Sequence, residues 1–413
     1  MQADFPTRAT ALALDAADPL GALVAAFDLA PGVIYLAGNS LGPLPRAAAV
    51  DVADAVGTQW GRGLVGSWNS AGWFDLPYTM GDALAPLIGA EAGEVVMADS
   101  TGINLFRMVA AAVALRPDRR VIVMEGSNFP TNNYVVQGLA RWLGQGHQIR
   151  FAEAGELATA IRDDVAVVAL THVHYRTAQI LDMAGLTARA QAAGALSVWD
   201  LCHSAGAMPV ALNDCNADFA VGCSYKYLNG GPGSPAFAYA ARHHHAALDQ
   251  PMTGWWGHRA PFAFERDYAP ADGIGRLLTG TQPVLSMVGA RAGLALAAQA
   301  GTAAARAKSL ALGALFITLV EARLPGFALV SPRDGAARGG HVAFDHPHGL
   351  PLMKALISRG VIGDFRAPAT MRFGFSPLYL RFVDVWDAVD RLADVVATGL
   401  WRAPEFQIAE TVT

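Results

Sequence analysis

Five short segments are apolar almost from end to end, and they constrain the fold more than anything else in this chain. They are VIVME (121–125), VAVVAL (165–170), LSVWD (196–200), DFAVGCSYK (218–226) and AFAYA (236–240). None alternates polar with apolar residues, as a strand with one face in water does. Strands of this kind are buried on both faces, which is the habit of parallel sheets covered by helices. Helical stretches separate them. Ser100 and Thr101 precede one with apolar residues at Ile103, Phe106, Ala110 and Val113, the 3.6-residue period. Others are expected over 46–59, 132–143 and 186–195, and DPLGALVAAFDL reads as an amphipathic helix in the polar start. The expected fold is α/β, with a mostly parallel sheet in a large domain. From about residue 290 the pattern changes to a long helix (290–324), HVAFDH, a helix, MRFGFSP and a last helix over 383–400, which reads as a smaller α+β domain. The expected division is an N-terminal segment (1–40) packing with the small domain, a large domain (41–290) and a small C-terminal domain (291–413).

Composition narrows the classes of function. The 413 residues are 53% apolar and 16% charged, which excludes disorder for most of the chain and suggests more than one domain. The formal charge is −5 and no basic block stands out, so no nucleic-acid partner is expected. No charge-free apolar run reaches the ~18 residues of a membrane span, and the first residues carry acids and a proline where a signal peptide needs a basic start. The three cysteines (Cys202, Cys215 and Cys223) are an odd number in a long chain and fit a reducing, cytoplasmic setting. The terminal FQIAETVT carries no readable signal.

Lysine usage is sharper. Of 30 basic residues only Lys226, Lys308 and Lys354 are lysines. A chain that uses Arg by default needs Lys only where an amine must lose its proton. Lys308 and Lys354 lie in helical stretches and read as solvated. Lys226 ends an apolar strand. Other expected strand ends carry Asp200, with His203 three residues on, and Thr171-His172. In doubly wound sheets ligands sit at these carboxyl ends. A carboxylate, an imidazole, a phenol (Tyr225) and an amine at one edge describe a site, although each alone has an ordinary structural role. A lysine that forms a Schiff base, with an acid to face a pyridine nitrogen, is the requirement of pyridoxal phosphate (PLP). Ser100-Thr101-Gly102 at a helix start offers a phosphate cradle, and Phe129 in SNFPTNNY offers a stacking ring.

These stretches resemble the kynureninase family. The resemblance is carried by VWDLCHSAGAMPVAL, SYKYLNGGPG, YLAGNSLGPLP, NFPTNNY, HVHYRTAQILDM, GWWGH and MRFGFSPLYLRF, in order from about Tyr35 to Arg381. It implies a fold-type I PLP enzyme, with residues 41–290 binding the cofactor. It implies a homodimer that hydrolyses the Cβ–Cγ bond of L-kynurenine, giving anthranilate and L-alanine in tryptophan degradation. By that resemblance Lys226 carries PLP and moves the α-proton, and Tyr225 is the acid/base. Asp200 pairs with the pyridine nitrogen, with His203 nearby. Ser100, Thr101 and Tyr225 hold the phosphate region, Phe129 stacks on the ring, and Asn132 and Thr171 lie beside it. Trp255 and Thr281 reach the phosphate from the second subunit. Arg372 binds the substrate carboxylate and Ser40 lines the substrate end. Some relatives carry Asn-Pro-Pro where this chain has Thr281-Gln282-Pro283, which bears on any preference for 3-hydroxykynurenine.

Three other readings have footholds. Gly38-Asn39-Ser40-Leu41-Gly42 matches the G-x-S-x-G elbow of serine hydrolases, but Pro43 and Pro45 follow where a helix must start. A cysteine desulfurase needs a mobile cysteine, in relatives usually well after the lysine, and all three cysteines precede Lys226. His243-His244-His245 are sequence neighbours, which are expected not to face one point, so no metal site is expected.

Overall fold

The structure, a computed structural model, describes residues 6–408. The first five residues of the N-terminal segment and residues 409–413 of the FQIAETVT tail lie outside the described residues. The large domain is built on a seven-stranded sheet: β1 (Val95–Met97), β2 (Val121–Glu125), β3 (Gln148–Ala152), β4 (Val165–Thr171), β5 (Leu196–Asp200), β6 (Phe219–Gly222) and β7 (Phe237–Ala240), in the order β1-β7-β6-β5-β4-β2-β3. β3 through β6 and β2 pair in parallel. Their lack of alternation has a direct cause. Ile122, Met124, Val167, Ala169, Val198, Phe219 and Val221 pack on one face. Val123, Val168, Leu170, Trp199 and Ala220 pack on the other. Helices α1 (Thr101–Ala114) and α2 (Pro130–Leu143) cover the first face. Leu76–Leu84, Met183–Ala192 and α3 (Val284–Ala300) cover the second.

One strand departs from the parallel pattern. β7 runs antiparallel to both β6 and β1. Residues 223–236 between β6 and β7 are turns and coil. A parallel return needs a crossover of a dozen or more residues that passes over the sheet, and this segment instead turns back at its edge. That turn carries Lys226, so the lysine lies four positions beyond the end of β6 rather than in the strand itself.

Two helix expectations are corrected. The long helix over 290–324 is two helices, α3 and α4 (Thr302–Arg323), broken at Gly301, whose φ of +71° favours glycine. DPLGALVAAFDL is not an α-helix. The α-helix of the start is Arg8–Ala16, closed by a Thr7 capping box, and Gly21–Ala26 is a 3-10 turn. α4 is long and apolar enough to cross a membrane, but 56% of its apolar window is buried within the fold.

The small domain holds a four-stranded antiparallel sheet of β8 (Ala328–Leu329), β9 (His341–Asp345), β10 (Asp364–Arg366) and β11 (Thr370–Gly374), in the order β10-β11-β9-β8. α4 and the helix Gly349–Ser358 pack on it, and α5 (Phe382–Thr398) packs on both of these helices. Ala11, Leu23, Phe27, Ile34 and Leu36 share this core, and Ile34–Tyr35 pairs in parallel with Val361–Ile362. Lys308 is not solvated. Its ammonium lies 2.6 Å from Asp18 and donates to the Pro377 carbonyl at 2.7 Å, with both side chains at or below 5% exposure. Lys354 is half-buried and donates to the Ile408 carbonyl.

Candidate active site

The carboxyl ends of β1, β2, β4, β5 and β6 open on one cavity of about 540 Å³, closed from the other side by the small domain. Eleven of the thirteen candidate residues line it: Ser40, Ser100, Thr101, Phe129, Asn132, Thr171, Asp200, His203, Tyr225, Lys226 and Arg372. Trp255 and Thr281 do not.

Asp200 ends β5 with both oxygens engaged. Oδ1 accepts from the Cys202 backbone N–H at 2.8 Å, and Oδ2 accepts from the Asn132 amide at 2.7 Å. Asn132 also donates to Thr171 at 3.3 Å, and Thr171 donates to Asn128 at 2.5 Å. These bonds fix the buried carboxylate in one orientation. Lys226 Nζ lies 3.0 Å from His203 Nε2. Burial first, and then the Lys226 charge, hold the His203 imidazole well below its usual range, so it stays neutral and accepts from the ammonium. Burial, and then the neighbouring Cys223 and Cys202 thiols, push the Tyr225 phenol well above its usual range, so it keeps its proton.

The start of α1 forms the second wall. Ser100 is the N-cap but its hydroxyl makes no capping bond, so it is available to a ligand, beside the free N–H groups of the first turn. Asp99, at φ +48°, sets up that turn and is paired at 2.7 Å with the buried Arg107. Thr101 Oγ1 lies 3.6 Å from Cys202 Sγ. Phe129 is 46% exposed on the cavity wall, edge-on to Tyr175. A flat ring bearing a ring nitrogen, an aldehyde and a phosphate matches this donor set: a fixed carboxylate, an amine, an aromatic face and a helix N-terminus with two hydroxyls.

The small domain supplies the third wall. Arg372 on β11 is 2% exposed and is gripped by Asp364 on β10 through two bonds, at 2.6 and 2.7 Å. Its Nη2 also donates to Ser40 at 3.1 Å, and Ser40 donates to Asp364. Burial raises the Asp364 carboxyl, but the Arg372 hydrogen bonds and charge, with Arg366 and Ser40, outweigh it and hold the group below its usual value. Ser40 therefore touches a carboxylate and a guanidinium, with no histidine bonded to it among the described residues. It sits in a turn, and the next helix begins only at Arg46. This removes the nucleophile-elbow reading. Gly42 joins the walls: its N–H donates to the Tyr225 carbonyl at 2.7 Å, and a Cβ there would lie 2.6 Å from the Lys226 carbonyl.

Several residues that line the cavity, or that bond to its lining as Asn128 and Asp364 do, escape sequence reasoning. Asn128 was quoted only as part of SNFPTNNY. Asp364 and Arg366 sit in an unremarked GDFRAP run, and Asp99, Tyr175 and Ser234 in ordinary loops. Cys202 and Cys223, which the sequence marks only by compartment and by their place before Lys226, both line the cavity. The hydrogen bond to Cys223 and burial push the Cys202 thiol well up. His172 lies beside Trp199 instead of in the cavity, and burial lowers it to about 4.

Comparison with known proteins decides the family. The kynureninase of Burkholderia pseudomallei (strain 1106a) is 53% identical over 414 aligned residues, covering 98% of this chain and 100% of the relative. The chain belongs to the kynureninase family. The kynureninase of Pseudomonas fluorescens is 50% identical with the same coverage. The model of the kynureninase C-terminal domain matches residues 305–392, which span α4 to α5 of the small domain. Among solved structures, the cysteine desulfurase of Thermococcus onnurineus NA1 superposes with a TM-score of 0.75 at 18% identity, covering 89% of this chain and 95% of that one. The Escherichia coli cysteine desulfurase CsdA gives 0.76 at 19%, covering 92% and 98%. A C-DES lysine mutant with glycine covalently linked to its PLP cofactor gives 0.75 at 18%, covering 88% and 97%. At these identities the likeness is one of fold, which places this chain among fold-type I architectures. No described cysteine follows Lys226, so the desulfurase chemistry of those neighbours has no candidate nucleophile beyond the lysine.

Proposed function

We propose that this chain is a PLP-dependent hydrolase that cleaves the Cβ–Cγ bond of L-kynurenine to anthranilate and L-alanine. The observation that carries the reading is the convergence of Lys226, Asp200 and Arg372 on one cavity, in a chain 53% identical to a kynureninase over nearly its whole length. PLP bound to Lys226 would supply an electron sink that makes the α-proton labile and stabilises the electron pair left on Cβ when Cβ–Cγ breaks.

The residues divide the remaining work. Asp200, clamped by Asn132 and the Cys202 N–H, presents a fixed carboxylate to the pyridine nitrogen. Ser100, Thr101 and the first N–H groups of α1 hold the phosphate. Phe129 covers the ring. Arg372 holds the substrate carboxylate, and Asp364 keeps the guanidinium from swinging away. Lys226 would take the α-proton and hold it for return, and neutral His203 would accept a hydrogen bond from its ammonium. Tyr225, which keeps its proton, would give it to the γ-carbonyl oxygen and take one from the adding water; the diol would then split at Cβ–Cγ, the carboxyl product leaving as anthranilate and a proton passing to the electron pair left on Cβ.

Trp255 and Thr281 complete the phosphate site from a second copy of the chain. Their place outside the chain's own cavity supports this, as does an exposed aromatic cluster around Trp255 (41%), Phe262 (66%) and Phe264 (78%). The substrate is a small molecule, and the compartment that fits the cysteines and charge is the cytoplasm.

The test is an absorbance spectrum of the purified protein before and after L-kynurenine. The expected result is a band near about 420 nm, typical of lysine-bound PLP, that responds as anthranilate fluorescence grows. A PLP band without anthranilate overturns the reaction but keeps the cofactor site. No band after PLP is added overturns both.

A further inference from the structure

Three possible metal ligands meet at the edge of the sheet opposite the cavity. Asp218 immediately precedes β6. β7 runs antiparallel to β6, with Ala240 opposite Phe219, so the chain leaving β7 returns over Asp218, and the Ala241 N–H donates to the Asp218 carbonyl at 2.9 Å. The 3-10 turn Arg242–Ala247 follows. Sequence neighbours are not expected to face one point, but this tight turn brings the His243 and His244 rings together, tilted by 49° with centroids 4.0 Å apart. His244 Nε2 lies 2.8 Å from Asp218 Oδ1, and His243 Nε2 lies 4.0 Å from the same oxygen. The three ligand atoms fall within 4.8 Å of one another.

The surroundings prepare two of the three ligands. Asp218 Oδ2 accepts from the backbone N–H and the hydroxyl of Ser197, at 2.8 and 2.9 Å, which turns Oδ1 toward the imidazoles. The His244 ring is stacked on Phe219 at 5.0 Å. Such outer partners fix ligand orientation in metal sites. A plain Asp–His hydrogen bond accounts for His244. It does not account for His243, whose side chain is 64% exposed yet lies over its neighbour instead of extending into water.

We propose that Asp218, His243 and His244 bind one divalent first-row transition ion of the Zn²⁺ kind, with water in the remaining position. Zn–N and Zn–O bonds of about 2.0–2.2 Å put tetrahedral ligand atoms roughly 3.4 Å apart, and a small swing of exposed His243 brings the three atoms to that spacing. Two imidazoles and one carboxylate suit Zn²⁺, Co²⁺ or Ni²⁺, whereas Mg²⁺ and Ca²⁺ demand more oxygens. The ion ties the start of β6 to the turn after β7. β6 separates it from Gly222 by about 13 Å at ~3.3 Å per residue, so it takes no part in the chemistry of the cavity.

The test is a Co²⁺ titration of untagged, PLP-loaded protein, followed by the visible absorption of tetrahedral Co²⁺. We expect saturation at one ion per chain and an affinity loss on the order of tenfold or more in His243→Ala, a variant that removes only an exposed ring. Zn²⁺ raises the melting temperature of the parent and not of the variant. Absence of a saturable band, or the same titration in parent and variant, overturns the proposal.

Discussion

Arg372 is held on three sides before any substrate arrives. Asp364 takes two of its donor positions, Ser40 a third and the Tyr175 carbonyl a fourth. A guanidinium fixed this way loses little freedom on meeting a carboxylate, which is the value of preorganisation. Asp364→Asn keeps the shape but weakens the grip, so KM for L-kynurenine should rise about tenfold, equivalent to roughly 1.4 kcal/mol, with a much smaller change in kcat. Steady-state kinetics decides; an unchanged KM removes Asp364 from the positioning role. Lys226→Ala should abolish turnover and let PLP leave on gel filtration. Parent-level turnover in that variant defeats the whole mechanism. Tyr225→Phe should lose turnover by on the order of 10²-fold, the usual contribution of a positioned acid or base. Asp200 and Lys226 were legible in the sequence because chemistry concentrates at strand ends and lysine is scarce. Asp364 and Asn128 were not, because each acts by bonding to side chains distant in sequence, Asn39 and Ser40 for the first and Thr171 for the second.

Among the elements, five of the seven strands of the large sheet are legible as continuous apolar runs; β1 is only three residues long, and β3 is a partly exposed edge strand without such a run. What escaped was direction and interruption. β7 reads like its neighbours, since an antiparallel strand buried on both faces has the same composition. Gly301 alone splits α3 from α4 in an Ala-rich stretch whose periodicity runs straight through it. Lys308 looked solvated because its partner Asp18 lies on a distant segment. Breaking a buried ion pair from one side leaves an uncompensated charge and costs about 3–5 kcal/mol. Lys308→Met should lower stability by that order in urea melts, and adding Asp18→Leu should recover a large part of it. Full additivity of the two losses would show that the pair is not coupled.

At the scale of the molecule, buried imidazoles set an acid limit. Burial lowers His172 to about 4 and, with Arg372 nearby, His341 to about 3, against an ordinary 6.5. Below pH 6.5 the unfolded chain binds protons that the folded one refuses, so stability falls with pH, by roughly 1.4 kcal/mol per unit for each such group. The loss continues until the folded-state values near 4 and 3 are reached. Melting temperature should therefore decline between pH 6.5 and 5, a window above most carboxylate titration; a flat profile there contradicts the assignment. The second copy proposed to complete the phosphate site should appear as twice the chain mass in light scattering, and Trp255→Ala should weaken PLP retention. A monomer with full activity refutes that arrangement.

The shared core of the two chain ends also has a consequence in time. Arg8 pairs with Asp387, 379 residues away, and Ala11, Leu23, Phe27 and Leu36 pack with Phe382 and Val389. During synthesis the large domain emerges with its own core complete, while the opening segment waits for α5. The helix Arg8–Ala16 packs chiefly on α5, so a ribosome stalled before Phe382 holds out a chain whose first helix still lacks its main partner.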